Sequence, residues 1–373
     1  MSNNIDAVFD VIVVGGGPAG SATAIACAGL GLSTLLLESS DPFGEQPGES
    51  LHPGIEPLFH SLGVDAEVNR AGFPRHSGYM LHSGPTSAFQ AYGADHRRQW
   101  RGYQADRATL HRILNERAAA SGAIVRRGER AHRPAMRGDA VGGVVTASGT
   151  YTSRYVVDAT GPRQWLRHHL RLPCLRVSTL LVAHYGWVAT GKSIEDTVAV
   201  PEFRVGDAAW TWTAPVGRER LAWVSLDLLD RRLKKHLLPT AVTGGLSTSP
   251  PGARDVTWRV VRPCAGPGYF MVGDAAWLVD PASSHGVLKS MLSGTVAADA
   301  IHKSLRGASE ASRIQEGYCA WAEDTFCADV AALVSLYSGM ERPPFWLSAA
   351  SEAARYIASR PSAWAFSSKA MKA

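Results

Sequence analysis

The chain has 373 residues, 45% of them hydrophobic and 19% charged, with a formal net charge of +5. That balance is ordinary for a globular protein with an ample core, in one large domain or two closely joined ones. No apolar stretch approaches the ~20 residues of a membrane span, and no basic segment with an apolar h-region opens the chain, so the expectation is cytoplasmic. The modest charge permits an acidic or peptide partner, but no clustered basic run points to nucleic acid. Arg97, Arg98 and Arg101 around Trp100 read as a solvated edge. The five cysteines are odd in number and lack metal-ligand spacing, so they read as buried thiols and no metal site is expected.

Val8–Val14 is a short run, apolar except for Asp10 and rich in β-branched residues, the pattern of a buried strand. Ser21–Leu30 is rich in alanine and small residues, which suits a helix packed closely on a sheet. Ser33–Leu37 is a second apolar strand. Between the first strand and the helix stands Gly15-x-Gly17-x-x-Gly20. Gly15 allows a tight turn, Gly17 lets a pyrophosphate approach the backbone, and Gly20 lets helix and strand pack closely. Phosphates at such a helix N-terminus meet free N–H groups and a favourable dipole. Glu38, at the end of the second strand, is placed to bind a ribose hydroxyl pair. The unit reads as a dinucleotide site that includes Ala19, with the kind of dinucleotide left to the rest of the chain.

The stretch from Asp41 to Gly54 is rich in proline and glycine and contains Gly48-Glu49-Ser50-Leu51-His52-Pro53-Gly54. A polar loop of this kind, directly after a nucleotide-binding unit, reads as functional. Ile55–Leu62 predicts a short helix, Gly72–Ala91 loosely alternating strands, and Ala105–Gly122 an amphipathic helix with Leu110, Ile113, Leu114 and Ala118 on one face. Val141–Val145 and Tyr151–Val157 predict a hairpin returning to the nucleotide sheet. Thr179–Val188, Ala208–Trp212, Leu221–Leu226 and Asp255–Val260 predict an antiparallel sheet in a separate layer. Leu228–Leu238 reads as a helix with a basic face, Tyr269–Val272 as a strand. Gly286–Leu305, Glu310–Tyr337 and Leu347–Ala358 read as helices.

The segment Gly273-Asp274-Ala-Ala-Trp-Leu-Val-Asp280-Pro281-Ala-Ser-Ser-His285-Gly286-Val287-Leu resembles the FAD-contacting motif of the p-hydroxybenzoate hydroxylase and halogenase superfamily. Asp106-Arg107 and Val156-Val157-Asp158-Ala-Thr-Gly161 resemble further parts of it, in the same order along the chain. The resemblance implies an α/β protein. It would have a glutathione-reductase-2-type, Rossmann-like FAD domain, an antiparallel β-sheet substrate domain and a helical C-terminal region. The corresponding boundaries are 1–72, 103–165 and 262–305 for a discontinuous FAD domain, 73–102 and 166–261 for the substrate domain, and 306–373 for the helices. It implies FAD as cofactor, with Asp274 on the ribityl chain, Arg107 near the nucleotide, and Pro281, Gly286 and Val287 bringing a helix N-terminus to the flavin edge.

Trp210-Thr-Trp212-Thr-Ala-Pro215, with the Glu49-Ser50 loop, resembles flavin-dependent halogenases, in whose signature an isoleucine stands where Ala214 stands here. Halogenases also need a lysine beside the substrate in the early part of the chain. None precedes Lys192, and Arg75 and His76 occupy the corresponding stretch. Hydroxylation needs less. Reduced flavin and oxygen give a C4a-hydroperoxide, which must be shielded from water while an electron-rich ring attacks it. Trp210 and Trp212, two apart on one strand face, are candidate pocket walls with Pro215. His285 and Glu49 are the candidate catalytic groups, and Ser50 a candidate flavin contact.

The loop at Gly48–Gly54 together with Asp280–Leu288 is also similar to flavoproteins that mature tryptophylquinone enzymes. That likeness implies a tryptophan side chain of a partner polypeptide as substrate and molecular oxygen as co-substrate. Reducing equivalents would come from NAD(P)H directly or from a separate flavin reductase. Halogenation of an indole, phenol or pyrrole, a geranylgeranyl-reductase-like reaction and a non-catalytic flavin-binding accessory role are the alternatives.

Overall fold

Val8–Val14 lies at the centre of an eight-stranded sheet, pairing in parallel with Thr34–Glu38 on one side and Gly149–Asp158 on the other. The computed structural model describes residues 8–40, 49–189, 200–216, 220–229 and 251–359. The side chain of Glu49, Gly48 with the loop before it, and the expected basic helix beyond Leu229 lie outside the described residues. Ile124–Arg127 and Tyr269–Met271 extend the parallel sheet at its two sides. The expected hairpin forms as Ala140–Thr146 and Gly149–Asp158, and its second strand returns to the nucleotide sheet. Val11, Ile12, Leu35, Leu36 and Val157 are fully buried, as continuous apolar parallel strands require.

The first helix (Pro18–Gly29) follows the glycine turn and lies against a long helix, Gly286–Arg306. Their backbones approach closely because the contact is made by small residues. A Cβ on Gly294 would stand 2.5 Å from the carbonyl oxygen of Ala19. A 28-residue helix, Ala311–Ser338, packs against the long helix and buries Tyr318, Cys319, Ala322, Phe326, Val330, Leu333 and Tyr337 as one helical stripe. The Tyr318 hydroxyl donates to the Met271 carbonyl at 2.7 Å, and Arg262 grips buried Glu323 through two bonds of 2.9 and 3.0 Å. The C-terminal helices are thus built onto the nucleotide sheet.

A second, seven-stranded sheet runs in the order 252–255, 182–189, 220–227, 209–215, 202–205, 78–83, 86–91. It is antiparallel except between Glu202–Val205 and Gly78–Ser83, where two separate segments of the chain meet in parallel. Asp255–Val260 does not form the single strand expected. The Asp255 carboxylate accepts the Thr257 N–H at 2.8 Å and turns the chain, so Gly252–Asp255 stays in the large sheet. Arg259–Val261 joins a three-stranded sheet with Cys174–Arg176 and Trp277–Leu278. Another small sheet pairs Gly102–Ala105 with both Glu49–Leu51 and Arg75–His76. All five cysteines are free, and no helix among the described residues is long and apolar enough to cross a membrane.

Gly294→Ala should force the two helices apart at Ala19. The expected cost is about 1–3 kcal/mol, seen as a lower thermal midpoint than the native protein's; an unchanged midpoint would contradict the packing described.

Candidate active site

The glycine turn is held from three sides. Gly15 has φ +107°, and a Cβ there would lie 2.5 Å from the Ala159 carbonyl oxygen. A Cβ on Gly20 would strike the Gly15 carbonyl oxygen at 1.8 Å, so Gly20 serves packing and does not face the cavity. Gly17 differs: nothing lies within 4 Å of where its Cβ would be. It stands at the N-cap of the first helix without a side-chain cap, so the helix's first N–H groups are left to a ligand.

Sequence reasoning missed the residue that fixes this turn. Asn115, reaching across from the helix Arg107–Ala120, donates to the Gly16 carbonyl at 2.8 Å and to Ser21 Oγ at 3.0 Å. Glu38 accepts the Gly16 N–H at 2.6 Å through one oxygen and the Ser40 N–H at 2.8 Å through the other. Its carboxylate therefore braces the loop as well as lining the cavity. Asp158 is consumed internally by Thr160 and by the Leu166 N–H.

One cavity of about 1430 Å³ runs from this turn to the antiparallel sheet. Gly15, Gly17, Ala19, Glu38, Ser50, Arg107, Asp274, Pro281, His285, Gly286, Val287, Trp210 and Trp212 all line it. Pro215, expected in the pocket wall, does not: it sits at the strand end opposite Leu221. Arg107 Nε lies 3.4 Å from His111 Nε2, and burial, with the Arg107 charge, lowers the His111 pKa to about 3.

The cavity's far end is bounded by side chains from the seven-stranded sheet, from the small sheet that holds Glu49–Leu51 and from the loop before Pro281. The Trp212 indole N–H donates to Ser50 Oγ at 2.9 Å, and Ser50 is bonded in turn to Gln104. The Trp210 indole N–H donates to the Tyr337 hydroxyl at 2.9 Å, and that hydroxyl donates to Asp280 at 2.7 Å. Trp258 donates its indole N–H to the other Asp280 oxygen at 2.7 Å. Burial pushes the Asp280 carboxyl up to about 6 against the pull of these donors. The Asp280 carboxylate also accepts the Ala282 N–H, which shapes the Pro281–Ser283 turn leading to His285.

His285 stands at the N-cap of the helix Gly286–Arg306, which has no side-chain cap, and no atom lies within 4 Å of a Cβ on Gly286. Beside it lies His52, with ring centroids 5.0 Å apart. Tyr92 meets His52 edge-on at 5.2 Å, and Tyr79 stands between Tyr92 and Trp212. Burial lowers the pKa of both histidines, assisted at His285 by the charges of Lys289 and His52. Lys289 lines the same wall, paired with Asp329, and burial brings its amine down to about 8.

Two uncapped helix N-termini with open glycine positions, opening on one long cavity, fit a dinucleotide whose two ends both need backbone N–H donors. Comparison with known proteins gives the same cofactor. A family model described as "FAD binding domain" matches residues 8–318. A 1H-pyrrole-2-carbonyl-[peptidyl-carrier protein] brominase of Pseudoalteromonas luteoviolacea is 25% identical over 80% of this chain and 78% of its own length. A digeranylgeranylglycerophospholipid reductase of Methanosphaerula palustris is 27% identical over 78% and 75%. In fold, the chain is similar to a peptidyl tryptophan dihydroxylase essential for tryptophylquinone cofactor biogenesis, with a TM-score of 0.73, 19% identity, and coverage of 92% of this chain and 79% of that one. The cofactor is FAD.

Two measurements check the site. Tyr337→Phe leaves the Trp210 N–H and one Asp280 oxygen without their shared hydroxyl, an expected loss of about 1–3 kcal/mol in chemical denaturation; no loss would show the bridge to be idle. His52, His76, His111 and His285 all have lowered pKa values. The unfolded chain therefore binds more protons than the folded one below an unfolded value near 6.5, and stability falls as pH drops. For His111 that loss runs from about 6.5 down to about 3. His111→Gln should flatten the slope of stability against pH by up to about 1.4 kcal/mol per pH unit between pH 6 and 4; an identical slope would contradict it.

Proposed function

The chain belongs to the FAD binding domain family, and from that premise we propose that it is a flavin-dependent monooxygenase hydroxylating an electron-rich aromatic ring. The ring proposed is of the indole or pyrrole class and is carried by a partner polypeptide. A tryptophan side chain matured towards tryptophylquinone is the form that the sequence resemblance implies. When bound and reduced, the flavin supplies the electrons that activate dioxygen.

The observation that carries this reading is the wall facing the far end of the cavity. Imidazoles and aromatic rings make most of it, and the Lys289 amine on the same wall is ion-paired with Asp329, where a halogenase requires a free ammonium. Arg75, in the stretch where a halogenase lysine is expected, turns away into an ion pair with Glu56, bonds to the carbonyls of Gly102 and Arg101, and stacks over Tyr103 at 3.8 Å. His76 is buried beneath, its Nδ1 on the Gly78 carbonyl. Neither side chain lines the cavity. The chain's own groups then have defined tasks. Tyr79, Tyr92 and Trp212 exclude water and hold the ring by its faces. His285 accepts a proton from the ring or its substituent, since an imidazole that stays neutral at pH 7 is a competent base. Ser50 and the Asp280-Pro281 turn would hold the loops that flank a bound isoalloxazine.

Halogenation is the second reading, favoured by Lys289, which lines the cavity and whose amine burial brings down to about 8. The reaction mass separates the two. With FAD kept reduced, ¹⁸O₂ supplied, and a tryptophan-containing peptide and pyrrole-2-carboxamide as candidate substrates, the product should carry one ¹⁸O atom and its mass should not change with added chloride or bromide. A halide-dependent halogenated product, or turnover that persists without oxygen, would overturn the proposal.

A further inference from the structure

The two edges of the seven-stranded sheet are finished differently. Gly252–Asp255 closes one with a short strand carrying Arg254 and Asp255, charges that discourage pairing with another chain. Thr86–Ala91 closes the other with six residues that include no charge, proline or glycine. Its pairing with Gly78–Ser83 is continuous, with no bulge to twist the edge away, and every residue but Gln90 is exposed. The Tyr92 N–H donates to the Ser77 carbonyl, which fixes the alternation of the backbone groups. Thr86, Ala88 and Gln90 turn theirs inward, while Ser87, Phe89 and Ala91 turn theirs to the open side. No described residue bonds to those outward groups. The neighbouring lane is filled only past the end of the strand. There the chain doubles back, with the Trp100 N–H on the Gly93 carbonyl and the Asp95 N–H on the Arg98 carbonyl. Arg98 of this return is paired with Glu56, but the exposed Arg97 and Arg101 meet no carboxylate among the described residues.

We infer that Thr86–Ala91 is a docking edge for an extended segment of the partner polypeptide, acidic at its N-terminal end, which adds to the sheet as an antiparallel eighth strand. The inference rests on the reading that the reacting ring is carried by a polypeptide, and it says where and how that chain binds. Residues of the added strand opposite Ser87, Phe89 and Ala91 exchange backbone bonds with the edge. The residue opposite Gln90 shares the face of Gln90. That face belongs to the site: Gln90 lies opposite Tyr79, both line the cavity, and Tyr79 contacts Tyr92 and Trp212 of the aromatic wall. One strand spacing, about 4.8 Å, separates the added residue from Gln90, within reach of an aromatic side chain. An antiparallel segment runs the same way as the return Arg98–Arg101, so its N-terminal end meets Arg97 and Arg101, where carboxylates complement the two unpaired guanidinium groups.

The test is calorimetric binding to the FAD-loaded protein, with the capped peptide Glu-Glu-Trp-Thr-Val-Thr as probe. In the antiparallel register its tryptophan lies opposite Gln90 and its fourth residue opposite Phe89. N-methylation of the fourth residue removes a backbone donor to the edge and should weaken binding about tenfold or more. N-methylation of the fifth residue, whose N–H faces solvent, should change binding by less than about threefold. Phe89→Pro removes one outward N–H and leaves the inward pairs, so it should weaken binding as the first N-methyl peptide does, while Phe89→Ala should not. Where Phe89→Pro does not fold, the two N-methyl peptides decide. The peptide should bind about fivefold more tightly than its Gln-Gln analogue at low salt, a preference lost when Arg97→Gln and Arg101→Gln are combined. No binding at about 1 mM peptide would overturn the inference, as would equal effects of the two N-methyl groups. A dimer of the free chain that Phe89→Pro dissolves would assign the edge to a second copy and overturn it likewise. Binding needs no turnover, so peptide bound but not hydroxylated would sink the monooxygenase reading alone, and N-acetyltryptophanamide hydroxylated without peptide binding would sink the docking edge alone.

Discussion

Two indole N–H groups on one strand tie the antiparallel sheet to both loops at the far end of the cofactor cavity. Trp212 reaches Ser50 directly, and Trp210 reaches Asp280 through the Tyr337 hydroxyl. The Asp280 bridge is buried, and a buried donor or acceptor without a partner costs far more than the net value of one hydrogen bond. The sheet cannot tilt or slide without breaking both tethers. The gap between sheet and loops at this end of the cavity is therefore fixed by two residues of one strand. Tyr337 brings the Ala311–Ser338 helix into the same bridge, so the C-terminal region helps to position the site.

Elsewhere along the cavity the governing constraint is close approach of backbone. Gly15, Gly20 and Gly294 sit where a Cβ would meet a carbonyl oxygen, whereas Gly17 and Gly286 face open space. The first group makes the packing possible and the second keeps two helix N-termini accessible. Beside the Gly286 terminus stands the wall of imidazoles, phenols and indoles. Its two imidazoles have pKa values lowered by burial and are neutral near pH 7.

The legible parts of the sequence were those whose physics is local. The glycine turn shows in residues a few positions apart, and the helix Arg107–Ala120 in its apolar spacing and in Asp106, whose side chain accepts the Thr109 N–H. Asp280 was readable as a loop residue, but its partners were not, because Tyr337 is 57 residues after it and Trp210 lies 127 residues before Tyr337. Asn115 was hidden for the same reason, 99 residues from the Gly16 carbonyl it holds. His285 was visible through its motif, but His52 was not, because the two rings meet only in the fold. Pro215 was assigned by motif alone, and the strand carries it past the cavity. The break after Asp255 is a local side-chain turn that apolar alternation did not reveal.

The central claim is that the two tethers hold the FAD ring system beneath the His52–His285 wall. The crystal structure of the FAD complex tests it most directly. The account predicts the pyrophosphate against the N–H groups of the helix that begins at Pro18. It places the isoalloxazine between Ser50 and the Pro281–Gly286 turn, with both tethers intact and the His52 and His285 rings facing the space above it. An isoalloxazine bound outside that gap, or bound with the Trp212–Ser50 and Trp210–Tyr337–Asp280 bonds broken, would contradict it.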